Sequence, residues 1–361
     1  MKLSLEIIES KEGVKEFLLS WKRLEDSQQS LFYQRALYFS AYCEYLMPSS
    51  VTPYLLVFSN QDEVVGIFPW VKQRFSRMGI PYYHIGSIYH DHVNLSDVIY
   101  DPAYQQSISE LFDVFVKALP LNSIVVMHDV RDDSQFIRLL PSLSSRAFVT
   151  EYGESFYIDF NEEIDAHLPK RMVKNVKRLL RKANDTGQVE FKFLSDGEIT
   201  KEAFEDFLTV ESSGWKGQAG TETAIRLNPE LKEYYQYFLD AMPLKMQLNL
   251  FYLNDSPIAA HYCFKDEHYL SLAKVGYIEE HKALSPSHVL IYKAIENAGV
   301  IGRESRISFV TGASWLGQWH PNSAKLSTVH ISTSLLASMI LKAMKSVKTF
   351  KTEMKRRLSK S

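Results

Sequence analysis

Residues 247–298 read QLNLFYLNDSPIAAHYCFKDEHYLSLAKVGYIEEHKALSPSHVLIYKAIENA, and their pattern decides the fold class. Residues 247–253 have strand length and strand composition, Asn254-Asp-Ser-Pro257 supplies turn residues, and 258–264 returns as a second strand. Residues 268–277 predict a third strand, followed by a loop over 278–287. From about 288 to 298, Leu290, Ile291, Ala294, Ile295 and Ala298 recur at helical spacing, and 306–310 closes the unit as a buried strand. The same order stands upstream. Strands 54–58 and 64–71 flank the turn Ser59-Asn-Gln-Asp-Glu63, and a third strand near 82–88 leads into an irregular loop. A helix over 103–119 carries Ile108, Leu111, Phe112, Phe115, Val116 and Leu119 on one face, and 123–127 reads as a strand. Two such units in one chain predict a duplicated α/β fold.

The chain has 361 residues, which suits two domains. Its 41 Lys and Arg against 43 Asp and Glu leave a net charge of −2, so no whole-protein field for DNA or RNA exists, although local basic patches do. Cys43 and Cys263 lie far apart, which excludes a Cys-rich zinc site and fits a reducing cytoplasm. The acidic start lacks a signal peptide's apolar stretch, and no apolar run is long enough to span a bilayer. The expected location is cytoplasmic, at most peripheral at the inner membrane face.

Two amphipathic basic helices complete the map. Over 168–183, Leu168, Met172, Val176, Leu179, Leu180 and Ala183 form an apolar stripe, while Lys170, Arg171, Lys174, Lys177, Arg178, Arg181 and Lys182 cover the rest. The tail repeats the idea, with an apolar stripe from Leu336 to Leu358 beside seven cations. An anionic membrane surface is the expected partner of 336–360.

The string ESSGWKGQAGTE, residues 211–222, combines three glycines with the flat wall of Trp215 and the opposite charges of Glu211 and Lys216. On spacing alone, a helix C-cap at Gly214 followed by a surface turn is the better explanation. Together with the Tyr234/Tyr235/Tyr237/Phe238 segment, LNLFYLNDSPIAAHYCF and KVGYIEEHKALSPSHVLIYKAI, it resembles the acetyltransferase family typified by the CelD/BcsL proteins of bacterial polysaccharide synthesis. That family lies within the Gcn5-related (GNAT) acyltransferase superfamily and is similar to the Fem-type tandem acyltransferases. The resemblance runs from about 156 to 319, includes the basic helix LPKRMVKNVKRLLRKANDTG, and is weaker over the first half.

The resemblance implies an α/β (α+β) fold of two tandem GNAT-like domains, each a mixed sheet flanked by helices. Residues 1–155 would form the acceptor side, 156–331 the acyl-CoA-binding domain, and 332–361 the tail helix. Acetyl-CoA or another acyl-CoA would be the co-substrate, with no metal. Its pyrophosphate would lie on Lys282, Ser285, Pro286, Ser287 and His288, where a helix N-terminus offers unpaired amides, with Ser285 as N-cap. The family shows glycine where this chain has Ser287. It also shows a Tyr-Lys pair before its Trp, where this chain has Trp315 and Leu316 ahead of Trp319, so neither a phenol nor an ammonium stands there. Direct attack by an amine is expected, with Glu211 or His261 as base, the backbone of 273–276 as oxyanion donor and Lys274 as electrostatic helper. His90, Asp91 and His92 of the first-half loop, with Trp215, Lys216, Trp315 and Trp319, are the expected acceptor contacts. The acceptor would be an amino sugar or glycan precursor of the cell surface. Charged tRNA is the disfavoured donor, sugar O-acylation and a non-catalytic synthase subunit are the other rivals.

Overall fold

The computed structural model describes residues 3–28, 30–77, 80–143, 146–160, 168–217, 220–240, 245–266, 269–299 and 305–333. The tail stripe from Leu336 to Leu358 lies outside them. The chain divides into two compact units. The first takes the described residues of 1–40, 47–153 and 325–333, and the second takes those of 41–46 and 154–324.

In the first unit, β1 (Ser4–Ile8) and α1 (Lys11–Ser27) precede the short helix α2 (Ala36–Ala41). Then come β2 (Val51–Asn60), β3 (Glu63–Arg77), β4 (Ile80–Gly86), the two-residue β5 (Ile99–Tyr100), α3 (Gln105–Ala118), β6 (Ser123–Arg131) and α4 (Gln135–Leu139). The sheet order is β1-β2-β3-β4-β6-β13, where β13 (Asn322–Ser332) returns from the far end of the chain. Only β4 and β6 run parallel, because α3 crosses between them. Phe112 of α3 packs edge-on against Phe68 and Trp70 of β3, and all three are fully buried. The apolar face read from the sequence is therefore the face that meets the sheet.

The second unit repeats this plan. Its elements are β7 (Ala147–Phe160, from Glu154 onward), α5 (Lys170–Thr186), β8 (Val189–Ser195), α6 (Lys201–Glu211), α7 (Pro229–Asp240), β9 (Met246–Leu253), β10 (Ser256–Lys265), β11 (Tyr269–Tyr277), α8 (Pro286–Gly299) and β12 (Ser305–Ser308). The order is β7-β12-β11-β10-β9-β8, with β11 and β12 parallel around α8. Asn254 and Asp255 both adopt positive φ (50° and 62°), the turn geometry that matches strand twist and that Asn and Asp tolerate. Val176, Leu179 and Ala183 of α5 share one core with Val289, Ile291 and Ile295 of α8. On the other face, Phe207 of α6 and Tyr235 of α7 meet Tyr262 of β10. Residues 42–46, a π-helical turn, join this unit, and Tyr45 lies 5.5 Å from the Tyr237 ring.

The sequence reading missed β1, α1, β7, β8 and β13. It also treated 278–287 as loop, whereas Glu279–Leu284 is a 3-10 helix and α8 already begins at Pro286. Among the described residues, no helix is long and apolar enough to cross a membrane.

Candidate active site

Strand β11 pairs with β12 only over Tyr269, Leu270 and Ser271. There β12 ends, at Ser308, while β11 runs on to Tyr277, and a cavity of about 570 Å³ lies at the end of β11. Val275, Gly276 and Tyr277 line one wall, the end of α6 with Ser213, Gly214 and Lys216 a second, and Lys282, Ser285–His288 and Trp315 the rest. Gly276 permits this arrangement: a Cβ there would stand 3.2 Å from both the Glu211 Cα and the Val210 carbonyl oxygen, so α6 approaches the strand backbone directly.

The anion-binding corner follows from the backbone. Ser285 has left-handed geometry (φ 45°, ψ 56°), and its carbonyl accepts from the amides of His288 (3.0 Å) and Val289 (3.2 Å). It thus stands at the N-cap position with a backbone unlike the extended one expected of a serine cap. Pro286 has no N–H, which leaves the Ser287 amide as the first-turn donor without a partner among the described residues. The α8 dipole adds partial positive charge at the same place.

His288 is fixed beside it. The Trp319 indole, itself buried, donates from Nε1 to His288 Nδ1 at 3.0 Å. An indole nitrogen is a donor only, so Nδ1 is unprotonated and the neutral ring carries its proton on Nε2. Burial lowers the His288 pKa from 6.5. Trp315 meets the same ring edge-on at 5.4 Å and lines the cavity. Trp319 does not line it, so its place is behind His288 instead of against a substrate.

The residues expected to act as bases are placed differently from one another. Glu211 is 2% exposed and lines the cavity, and both its oxygens are engaged. Oε1 accepts from Lys216 Nζ at 3.2 Å and Oε2 from the Ile225 amide at 2.9 Å. The carboxylate therefore ties the 214–225 segment to α6. His261 is fully buried in β10, neither ring nitrogen has a hydrogen-bond partner among the described residues, and burial pushes its pKa down to about 3. It sits opposite Val275 in the sheet, one strand away from the cavity wall. Lys274 does not line the cavity either; strand alternation turns it toward α7, its ammonium 6.0 Å from the Tyr235 ring centre. The backbone of Trp215 lies in the 3-10 turn Gly214–Lys216, and its side chain is outside the described residues.

His90, Asp91 and His92 belong to the first unit. His90 and Val93 form an isolated bridge, the His92 amide donates to His90 Nδ1 at 3.2 Å, and Asp91 is exposed. Asp97, the other acid of that loop, is wholly structural. Buried, it accepts from the amides of Val98, Phe136 and Gln135 and from Gln34 Nε2, at 2.8–3.1 Å.

Two cavity residues escaped the sequence reading. The Tyr277 hydroxyl donates to Glu279 Oε1 at 3.0 Å, and both side chains face the cavity. Burial and the Glu279 carboxylate raise the Tyr277 pKa above 10, so the phenol keeps its proton at neutral pH. A phenol thus stands in the cavity, which Trp315 also lines. The signal was present as Tyr277-Ile-Glu279 at the strand end, but only the splay of β11 gives it meaning.

Comparison with known proteins agrees with this geometry. The family model described as the acetyltransferase (GNAT) domain matches residues 170–319. This segment resembles a GNAT-type acetyltransferase domain. No curated protein matches the chain. Among solved structures, FemX is similar with a TM-score of 0.61 at 10% identity, covering 94% of this chain and 100% of that one. The C-terminal domain of a putative lysylphosphatidylglycerol synthetase from Agrobacterium fabrum gives 0.56 at 9% identity, over 91% and 95%. L-PGS from Bacillus licheniformis gives 0.55 at 10% identity, over 90% and 95%. At such identities these likenesses show the fold. The match supports an acyltransferase, and a GNAT domain implies use of an acyl-CoA co-substrate.

Proposed function

We propose that the chain is an acyl-CoA-dependent N-acyltransferase whose acceptor is an amino sugar, or a similar amine, of a cell-surface polysaccharide or glycolipid precursor. The observation that carries the acyl-transfer part is the cavity where β11 leaves β12 beside the free Ser287 amide. The pyrophosphate lies over Lys282 and the first turn of α8, and the thioester reaches along the unpaired edge of β11, whose amides are the oxyanion donors. The acceptor amine attacks the thioester carbonyl carbon, the C–N bond forms and the C–S bond breaks. Glu279 takes the amine proton, Tyr277 protonates the leaving thiolate, and the phenol regains its proton from Glu279 through their existing hydrogen bond. Glu211 is a positioning residue in this scheme, since Lys216 and Ile225 already occupy it. The amine is assigned by family likeness together with this pair, which moves one proton from nitrogen to sulfur.

Calorimetric titration with acetyl-CoA tests the reading. Ser287→Glu places a carboxylate at the anion corner and is expected to weaken binding about tenfold or more, whereas Ser287→Gly is tolerated. Equal affinity in the wild type and the Glu variant removes the ligand from this loop.

A further inference from the structure

The acyl-transfer cavity is electrostatically balanced. Glu211 and Glu279 face it, and so do Lys216 and Lys282, so their formal charges cancel. An acyl-CoA carries a diphosphate and a 3′-phosphate, and the monoester alone brings about 1.5 to 2 negative charges at neutral pH. The cavity wall does not supply the compensating cations. A neighbouring groove of about 1260 Å³ does.

That groove runs along the exposed face of α5, where Lys170, Arg171, Lys174, Lys177, Arg178 and Arg181 line it without an acid among the lining residues. Lys170, Arg171, Lys174 and Arg181 make no ion pair among the described residues. Lys170, Lys174, Lys177 and Arg181 follow the i, i+4, i+7, i+11 spacing, which sets four cations in a line about 16 Å long. Holding so many like charges side by side costs some stability, and an anion in the groove offsets that cost.

Two elements connect the groove to the cavity. The 3-10 turn Ser314–Trp319 shows Trp315 to the cavity, while Gln318 and the adjoining His320 line the groove. The 3-10 helix Glu279–Leu284, which brings Lys282 to the cavity, packs against α5. A ligand leaving the cavity past Lys282 therefore meets the α5 cations next.

We propose that the α5 groove is the subsite for the 3′-phosphorylated nucleotide end of the acyl donor. The assignment rests on the acyl-CoA reading above and adds a selectivity that the cavity lacks: the enzyme distinguishes CoA from its 3′-dephospho form. The groove is concave and six cations line it beside Pro169, Met172 and Val173, which suits a phosphate better than the flat, apolar-inserting contact of a membrane.

The test is calorimetric titration of the full chain with CoA and with 3′-dephospho-CoA, in the wild type and in Lys174→Gln/Arg178→Gln/Arg181→Gln. All three side chains are exposed, and an unchanged thermal midpoint verifies folding. The wild type is expected to bind CoA about ten- to a hundredfold more tightly than dephospho-CoA, from charge-assisted contacts to the monoester. In the triple variant that ratio falls toward one, through loss of CoA affinity with dephospho-CoA affinity kept. Equal wild-type affinities for the two ligands overturn the subsite while leaving acyl-CoA in the cavity. Absence of binding by either ligand overturns the acyl-CoA reading itself, and the subsite falls with it. An RNA oligonucleotide that binds the wild type but not the triple variant, with no CoA preference, overturns the subsite in favour of a polynucleotide.

Discussion

The two units share one order of elements and differ at one seam. In the second, β11 and β12 pair over three residues, and β12 ends at Ser308 while β11 runs on to Tyr277. In the first, the corresponding β4 and β6 pair from Tyr83/Ser123 to Gly86/Val126, and the Ser87 amide then donates to the Val126 carbonyl at 3.1 Å. The His128 amide closes on the Ser87 hydroxyl at 2.8 Å. Gly86, at φ 155°, makes this possible, since a Cβ there would lie 1.9 Å from the Val126 carbonyl oxygen. One seam is zipped and the other opens into a cavity. A duplicated fold can thus keep its core in both copies while the strand edges needed for a ligand remain in only one.

Breaking the zipped seam should give the largest effect. Gly86→Val adds both left-handed strain and a backbone clash, and should destabilise the first unit by about 3 kcal/mol or more. Urea denaturation followed by tryptophan fluorescence reads this, and an unchanged midpoint would mean that the seam tolerates opening. At the open seam, Tyr277→Phe should lower kcat about a hundredfold with little change in CoA affinity, the size expected for a lost general acid. A kcat within twofold of wild type would remove Tyr277 from proton transfer.

Acid should weaken the first unit through its seam-side histidines. Burial, with His330 nearby, depresses His84 to about 4, and burial with His330 and His84 does the same for His128. A histidine held neutral in the folded state binds its proton more readily when unfolded. Its stability contribution is therefore complete above about pH 6.5 and is lost as pH falls toward 4. His84→Phe should flatten the pH dependence of the urea midpoint across that window; an unaltered slope assigns the acid sensitivity elsewhere. The smallest effect concerns the open seam's own imidazole. Trp319→Phe removes the donor to Nδ1, so the His288 pKa should rise toward 6.5, read by nitrogen chemical shifts. An unmoved value would mean that burial alone sets it.

Much of this architecture was legible in the chain, because periodicity and turn chemistry are local. The 247–264 hairpin follows from Asn254 and Asp255, and α8 from the spacing of Leu290, Ile291, Ala294 and Ile295. Strands β7 and β13 were not legible. Their partners, β12 and β6, stand far along the sequence, so no short window contains the reason for their pairing. The site divided in the same way. Ser287 and His288 were named from a helix start, a local signal, and both line the cavity. Tyr277 and Glu279 come together in the cavity wall only in the fold, and the Ile225 amide that occupies Glu211 Oε2 comes from a separate segment. His261 shows the limit of composition: a histidine in a strand looks chemical until its burial is known.

The late return of β13 has a consequence for how the molecule is made. The first unit's sheet is finished by a strand synthesised after the whole GNAT domain, and the Thr333 hydroxyl reaches the Ser123 carbonyl across 210 residues of chain. On the ribosome, β6 must therefore wait with an unsatisfied edge while that intervening domain emerges and folds. Closing so long a loop adds little to the equilibrium cost, because loop entropy grows only logarithmically, but it slows the final step. During that interval the nascent chain presents an open strand edge, the moment at which a chaperone, or a second nascent copy, can reach it first.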